Sequence, residues 1–282
     1  MQGDEFAGGA AMEGGMPLEQ IAGFPTHVSR MGSGVRRALF VHCTLAHAGA
    51  WTGVHAALLD KLALTAFDRP GHGRSGMWRG SDGRALHDLT TRIAGDLIDQ
   101  RADVIGHSYG ATVALRLAME RPEQVRSLVM IEPVMFQAIR NQPVYAEVEA
   151  MMAAVQQAND VGDATGAARI FNDAVNPEIP FDGLDVARQT SMAKRMDLVV
   201  AESDVTLRDA PGLLAPGRLE KLKMPVLLLE SSNPPKGVRM VHEAICARLP
   251  QVQRVVVIGA GHMAPITHPK NVAGEIAQFL KV

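Results

Sequence analysis

Short apolar runs punctuate this chain, at Ala38–His42, Leu62–Asp68, Ala102–Ile105, Ser127–Ile131, Pro225–Leu229 and Arg254–Ile258. Several are apolar throughout rather than alternating. A strand with one wet face alternates, whereas a strand covered on both faces does not, so these runs point to a parallel sheet between two layers of helices. Between them lie segments with helical spacing: Trp51–Leu62, Asp88–Gln100, Ala111–Glu120, Pro235–Leu249 and Asn271–Leu280. Pro122 stands just past the third as a helix stop. Strands alternating with helices predict an α/β fold, a doubly wound and mostly parallel sheet.

One region breaks the alternation. Residues 134–222 contain no strand-like run, only helical windows at Val144–Gln157, Ala164–Ala174 and Val186–Val200. An all-helical insertion in an α/β chain is expected to form a cap over the site, carried by a core of residues 18–133 and 223–282. The plainer alternative is a pair of peripheral helices packed on the sheet. Residues 1–17 are Gly-rich with scattered acids and read as a loose tail without the basic start and apolar run of a signal peptide.

Composition narrows the partners. A formal net charge of −2 offers no basic field to nucleic acid or anionic lipid. No stretch has the roughly 18 consecutive apolar residues of a membrane helix. Cys43 and Cys246 are far apart, so no disulfide framework is expected and a reducing, cytoplasmic setting follows. The expected partner is a small-molecule substrate, with neither nucleic acid nor membrane. The sequence does not bear on oligomeric state.

The strongest local signal is Gly106-His107-Ser108-Tyr109-Gly110, between the apolar Ala102–Ile105 and the helical Ala111–Glu120. This is G-x-S-x-G in a strand–turn–helix setting. A serine at the tip of such a turn sits in strained backbone, and side chains at the flanking positions would collide with the elbow, so both are glycine. The helix that follows directs its N-terminal dipole at the charge formed during attack.

Three further segments join it. They are Val41-His42-Cys43-Thr44 with Trp51 downstream, Asp68-Arg69-Pro70-Gly71-His72-Gly73-Arg74-Ser75, and Gly259-Ala260-Gly261-His262 after the last strand. Together with the elbow, in this order, they resemble the α/β-hydrolase superfamily from about Gly32 to the C-terminus. The resemblance implies an α/β-hydrolase sheet with a helical cap, and a Ser108 nucleophile rather than the aspartate of epoxide hydrolases and haloalkane dehalogenases.

Serine needs a base. Of ten histidines, His262 lies in a Gly-rich loop after a strand, and the chain order Ser…His matches the family. The third group should be a carboxylate that holds the imidazole tautomer. The position where the family most often carries it holds Asn233, in Glu230-Ser231-Ser232-Asn233. In a serine protease the corresponding Asp→Asn change lowers turnover by about 10⁴. The family's other location, at the end of the strand after the nucleophile helix, holds Glu132, which is the first choice, with Glu230 second. The resemblance also implies oxyanion donors at Thr44 and Tyr109, with Cys43 where the family usually has glycine.

The 134–222 segment carries Met135, Met151, Met152, Met192 and Met196. Flexible thioethers fill irregular apolar surfaces, so most are expected to pack between helices and one or two to face a ligand. The histidines lack the i, i+4 spacing of a zinc helix, and Gly71-His72-Gly73 lacks the Lys-Ser/Thr of a phosphate loop, so no metal or cofactor is expected. These readings predict a serine hydrolase for an ester-like bond in a small, fairly apolar substrate. The alternatives on the same residues are a carbon–carbon hydrolase or a cofactor-free perhydrolase. Asn233 gives weight to another class, a non-catalytic ligand receptor on the same scaffold.

Overall fold

All six apolar runs become strands in the computed structural model, which describes residues 18–282; the expected tail at 1–17 lies outside the described residues. The strands are β1 (Glu19–Ile21), β2 (Phe24–Thr26), β3 (Val28–Met31), β4 (Arg36–Val41), β5 (Leu62–Phe67), β6 (Ala102–His107), β7 (Val125–Ile131), β8 (Val226–Asn233) and β9 (Val252–Gly261). β1 and β2 form a small antiparallel hairpin. The main sheet runs β3-β5-β4-β6-β7-β8-β9, with only β3 antiparallel to its neighbour. The three short strands before Arg36 had no apolar run to announce them.

The helices are α1 (Thr52–Ala56), α2 (Gly83–Asp96) and α3 (Tyr109–Glu120), then α4 (Pro143–Asp160), α5 (Ala164–Val175), α6 (Val186–Ala193) and α7 (Met196–Thr206), then α8 (Val238–Cys246), α9 (Ala264–Thr267) and α10 (Pro269–Leu280). The expected Trp51–Leu62 helix shortens to α1, because Leu62 is already the first residue of β5. α2 starts earlier than expected, where the Asp82 carboxylate caps Ala85 N at 3.0 Å. The Val186–Val200 window is two helices, broken at Lys194 and Arg195.

The pleat sorts the strands' side chains between two cores. Leu39, Val41, Val104, Leu128, Met130, Val226 and Leu228 face α2, α3 and α8. Their neighbours Ala38, Phe40, Ile105, Val129, Ile131, Leu227 and Leu229 face α1 and α10. Both faces are covered, which is why the runs are apolar throughout. Between β7 and β8 the described residues form no strand. α4, α5 and α7 instead surround their own core of Val155, Ala167, Ala168, Phe181, Leu184, Met196 and Val199.

A buried ion pair ties this helical insertion to the sheet. Arg69, just after β5, donates from Nη1 to Glu202 Oε1 on α7 at 2.7 Å, with both side chains out of solvent. The Arg69 guanidinium also lies 4.5 Å from the centre of the Tyr109 ring. Desolvating two ions offsets most of their attraction, but removing one leaves a buried charge unpaired. Glu202→Ala is therefore expected to lower stability by about 3–5 kcal/mol, and Arg69→Met/Glu202→Leu by less than the single change. Urea unfolding of the variants measures both; a Glu202→Ala loss below about 1 kcal/mol, the worth of an exposed pair, would contradict it.

The fold also keeps several imidazoles neutral. Burial pushes His42, His72 and His87 well below the usual histidine range. It pushes His107 down to about 3 and His55 to about 4. In the unfolded chain these groups titrate near 6.5, so between about pH 4 and 6.5 the unfolded state binds more protons and stability falls as pH falls, by up to about 1.4 kcal/mol per pH unit for each imidazole. Thermal unfolding midpoints from about pH 7 down to 4.5 should decline steadily; a flat profile over that window would show that these side chains protonate without unfolding.

Candidate active site

The carboxyl ends of β4, β6, β7, β8 and β9 lie along one edge of the sheet. β5 sits on one side of β4 and β6 on the other, so the winding reverses between β4 and β6. In open α/β sheets ligands bind at such a switch point. Ser108 follows β6 at φ 55° and ψ −120°, a conformation rare for a residue with a side chain. Its N–H donates to Ile131 O at 2.8 Å. The flanking glycines answer to two different neighbours. A Cβ on Gly106 would lie 2.2 Å from Gly110 O, within the elbow, while a Cβ on Gly110 would lie 2.2 Å from Val41 O on β4. One glycine allows the turn, and the other lets the nucleophile helix approach the neighbouring strand.

His262, in the loop after β9, has its Nε2 3.0 Å from Ser108 Oγ and its Nδ1 3.2 Å from Glu132 Oε2. The carboxylate only accepts, so Nδ1 carries the proton and Nε2 presents its lone pair to the hydroxyl. Glu132 stands directly after β7 at φ 49°, fully buried. Its other oxygen accepts the Ser231 N–H at 2.6 Å, which orients the carboxylate. The structure thus brings Ser108, His262 and Glu132 together.

Glu230 is elsewhere. It is still inside β8, on the α8 face, where Oε2 accepts from Arg254 Nε at 2.9 Å and from His242 Nδ1 at 3.2 Å. Burial pushes its carboxyl up, but the hydrogen bonds from His242 and Arg254 outweigh this and hold it below the usual range. Asn233 pairs with Gly261 across β8 and β9. His107 acts on the site through the backbone of His262: His107 Nε2 lies 2.8 Å from His262 O and braces the loop that carries the imidazole. Its place beside the serine in sequence was the only signal.

The loop after β4 is held by the Asp68–Ser75 turn. Asp68 accepts from Ala48 N at 2.7 Å and Arg74 N at 2.8 Å. His42 Nδ1 donates to Cys43 O at 2.7 Å, and its Nε2 accepts from Arg69 N at 3.0 Å. Arg69 Nη2 donates to Cys43 O at 3.2 Å, and His72 Nε2 accepts from Leu45 N at 3.3 Å. Between these anchors lies Thr44, whose N–H meets no backbone carbonyl among the described residues. Tyr109 N, first in α3, has no partner inside its helix. The Thr44 hydroxyl donates to Glu202 Oε2 at 2.5 Å, so the Arg69–Glu202 pair reaches the site itself. Neither partner stood out in sequence: Arg69 lay inside a recognised turn, and Glu202 lies just past the expected helical window Val186–Val200. Burial pushes the Cys43 thiol up to about 12, so it is neutral at physiological pH.

Two cavities meet at Thr44, Ser108 and His262. The larger, about 540 Å³, is walled by the loop around His47, by α5 and α6, and by the residues after His262. The smaller, about 330 Å³, is walled by Val134, Phe136, Val148, Met151, Met152 and Leu207. Of the five methionines expected to be mostly packing, Met151, Met152 and Met192 line these cavities, and only Met135 and Met196 are buried in cores. Among the described residues, no three His, Cys, Asp or Glu side chains cluster as metal ligands would, and no helix is long and apolar enough to cross a membrane.

The chain is 36% identical over 132 residues to lipase LipV of Mycobacterium tuberculosis, a match over 45% of this chain and 48% of that protein. It thus spans about half the length of that relative. It is 26% identical over 281 residues to a 2-(acetamidomethylene)succinate hydrolase of Mesorhizobium japonicum, covering 90% of this chain and 91% of that one. A thermophilic esterase from Thermogutta terrifontis shares the fold with a TM-score of 0.72 at 18% identity, covering 94% of this chain and 97% of that one. The model of the alpha/beta hydrolase family matches residues 38–275, and the chain belongs to that family.

Proposed function

We propose that this hydrolase cleaves a carboxylic ester, or a similar acyl bond, of a small and fairly apolar substrate through an acyl-enzyme on Ser108. The observation that carries the reading is the continuous line of contacts from Ser108 Oγ to His262 Nε2 and from His262 Nδ1 to Glu132. In the first half-reaction the Ser108 hydroxyl proton passes to Nε2 as Oγ bonds to the carbonyl carbon, and the carbonyl electrons move onto oxygen. The N–H groups of Thr44 and Tyr109 receive that oxyanion. Collapse breaks the bond to the leaving group, which takes the proton from the imidazolium. Water then repeats the sequence and frees Ser108. Glu132 holds the tautomer and stabilises the imidazolium. Residues 134–222 act as the cap over a core of 18–133 and 223–282, since helices of that segment wall both cavities.

The names of the lipase and esterase relatives favour acyl-oxygen chemistry. The receptor reading drew its weight from Asn233, and a buried carboxylate 3.2 Å from His262 Nδ1 removes that weight.

Three variants test the proposal. A fluorophosphonate should label the wild type and not Ser108→Ala, whose turnover of p-nitrophenyl esters should fall by on the order of 10⁵–10⁶; labelling that survives the substitution would locate the nucleophile elsewhere. Glu132→Gln should lose about 10⁴ in kcat, while Glu230→Gln, which breaks contacts to Arg254 and His242, should act on stability far more than on kcat. The reverse ranking in steady-state kinetics would transfer the acid to Glu230.

A further inference from the structure

The two cavities that share Ser108 differ in charge. The smaller is apolar, and its ionic groups are compensated: Glu147 pairs with Lys236, and Glu202 with Arg69. The larger is walled by Arg188, Ser191, Asn172, Asn176 and His47 among others, and no aspartate or glutamate among the described residues lines it. Arg188, Ser191 and Met192 are spaced i, i+3 and i+4 on α6, so one helix face carries all three to the cavity. The acid nearest Arg188 in sequence, Asp185, is occupied as the cap of that helix, accepting the Arg188 backbone N–H at 2.8 Å. Arg188 is an exposed residue that lines the cavity, and among the described residues its guanidinium has no carboxylate partner, unlike Arg169 on the neighbouring helix, which pairs with Asp182. Glu178, whose carboxylate lies against Gly261, is not among the residues that wall the cavity. Burial raises the Cys43 thiol; Arg69 opposes that rise most, then a backbone hydrogen bond at Cys43, and Arg188 least.

We propose that Arg188 forms an anion subsite in the larger cavity. It would receive a carboxylate on one arm of the acyl substrate while the other, apolar arm occupies the smaller cavity. The proposal rests on Ser108 as nucleophile and narrows the substrate class to acyl compounds with a free carboxylate a few bonds from the scissile carbonyl. The planar guanidinium can meet both carboxylate oxygens at once. The same anion in the apolar cavity would lose its hydration with no free cation to replace it.

The test compares esters that differ only in this charge. Monomethyl glutarate and monomethyl adipate, each against the neutral methyl ester of the same length, place the carboxylate in the acyl arm. The acetyl ester of 3-hydroxybutyrate against sec-butyl acetate places it in the leaving arm. In at least one orientation the wild type should favour the charged ester in kcat/KM by about threefold to fivefold, mainly through KM, as expected for an exposed charge pair. That ratio should fall to about one in Arg188→Gln, recover in part in Arg188→Lys, and shrink as salt is raised. A wild type with no charge preference in either orientation, or an Arg188→Gln enzyme with an unchanged ratio, overturns the subsite. Calorimetric titration of monomethyl glutarate into Ser108→Ala and Ser108→Ala/Arg188→Gln separates binding from turnover. Binding that depends on Arg188, in a protein whose wild type cleaves no ester, would keep the subsite and defeat the esterase reading. Ser108-dependent cleavage of neutral esters without charge discrimination would do the opposite.

Discussion

Ser108 is held in a left-handed backbone conformation that its own side chain resists, and the rest of the site is arranged around that constraint. The surroundings leave it no alternative. β6 delivers it with a hydrogen bond from its N–H to Ile131 on the next strand, and α3 departs immediately with its first turn packed against β4. Both supports, a central strand of the sheet and the helix packed on it, are buried. The consequence is geometric: Oγ stands clear of the strand edge, facing an imidazole that arrives from β9 at the other side of β7 and β8.

A second left-handed residue, Glu132, explains why the third member is ambiguous in the sequence alone. Glu132 and Glu230 each follow a run of aliphatic residues, and the run alone does not tell where the strand stops. β7 stops at Ile131, and the positive φ of Glu132 ends the pleat and frees the carboxylate for His262. β8 continues to Asn233, so Glu230 keeps its place in the alternation, on the face of Val226 and Leu228, and meets α8. The same physics made the central strands legible: burial on both faces forces an apolar run. It hid β1 to β3, whose half-exposed residues carry no such mark. Ser108 stood out because a turn with tight steric demands leaves a fixed residue pattern, and His262, Thr44 and Tyr109 were named around it by the family resemblance.

The helical insertion was legible as helices and illegible as a contributor to the reacting edge. Nothing in the periodicity of α7 distinguishes Glu202 from a solvated acid, since its meaning depends on Arg69, which is distant in the chain and reaches it only through the fold. A buried ion pair is weak evidence for stability. What this one supplies is registration: the carboxylate that neutralises Arg69 also accepts the Thr44 hydroxyl, and the guanidinium also donates to Cys43 O. The loop expected to bind the oxyanion is therefore pinned between the sheet and the insertion, and displacement of α7 would be felt at Thr44.

This arrangement divides the work between two parts of the chain. On the proposed mechanism, the groups that would move protons stand at strand ends, where the sheet fixes them. The insertion contributes much of the cavity lining: Met151 and Met152 on α4, Phe171 and Val175 on α5, Arg188 and Met192 on α6. Met side chains adapt to shape and discriminate weakly. A guanidinium without a carboxylate partner distinguishes an anion from an uncharged group by charge and by paired hydrogen-bond geometry. On the proposed subsite, selectivity turns on charge as well as shape, and it can change by substitution on α6 without disturbing the strained turn at Ser108 or the imidazole beside it.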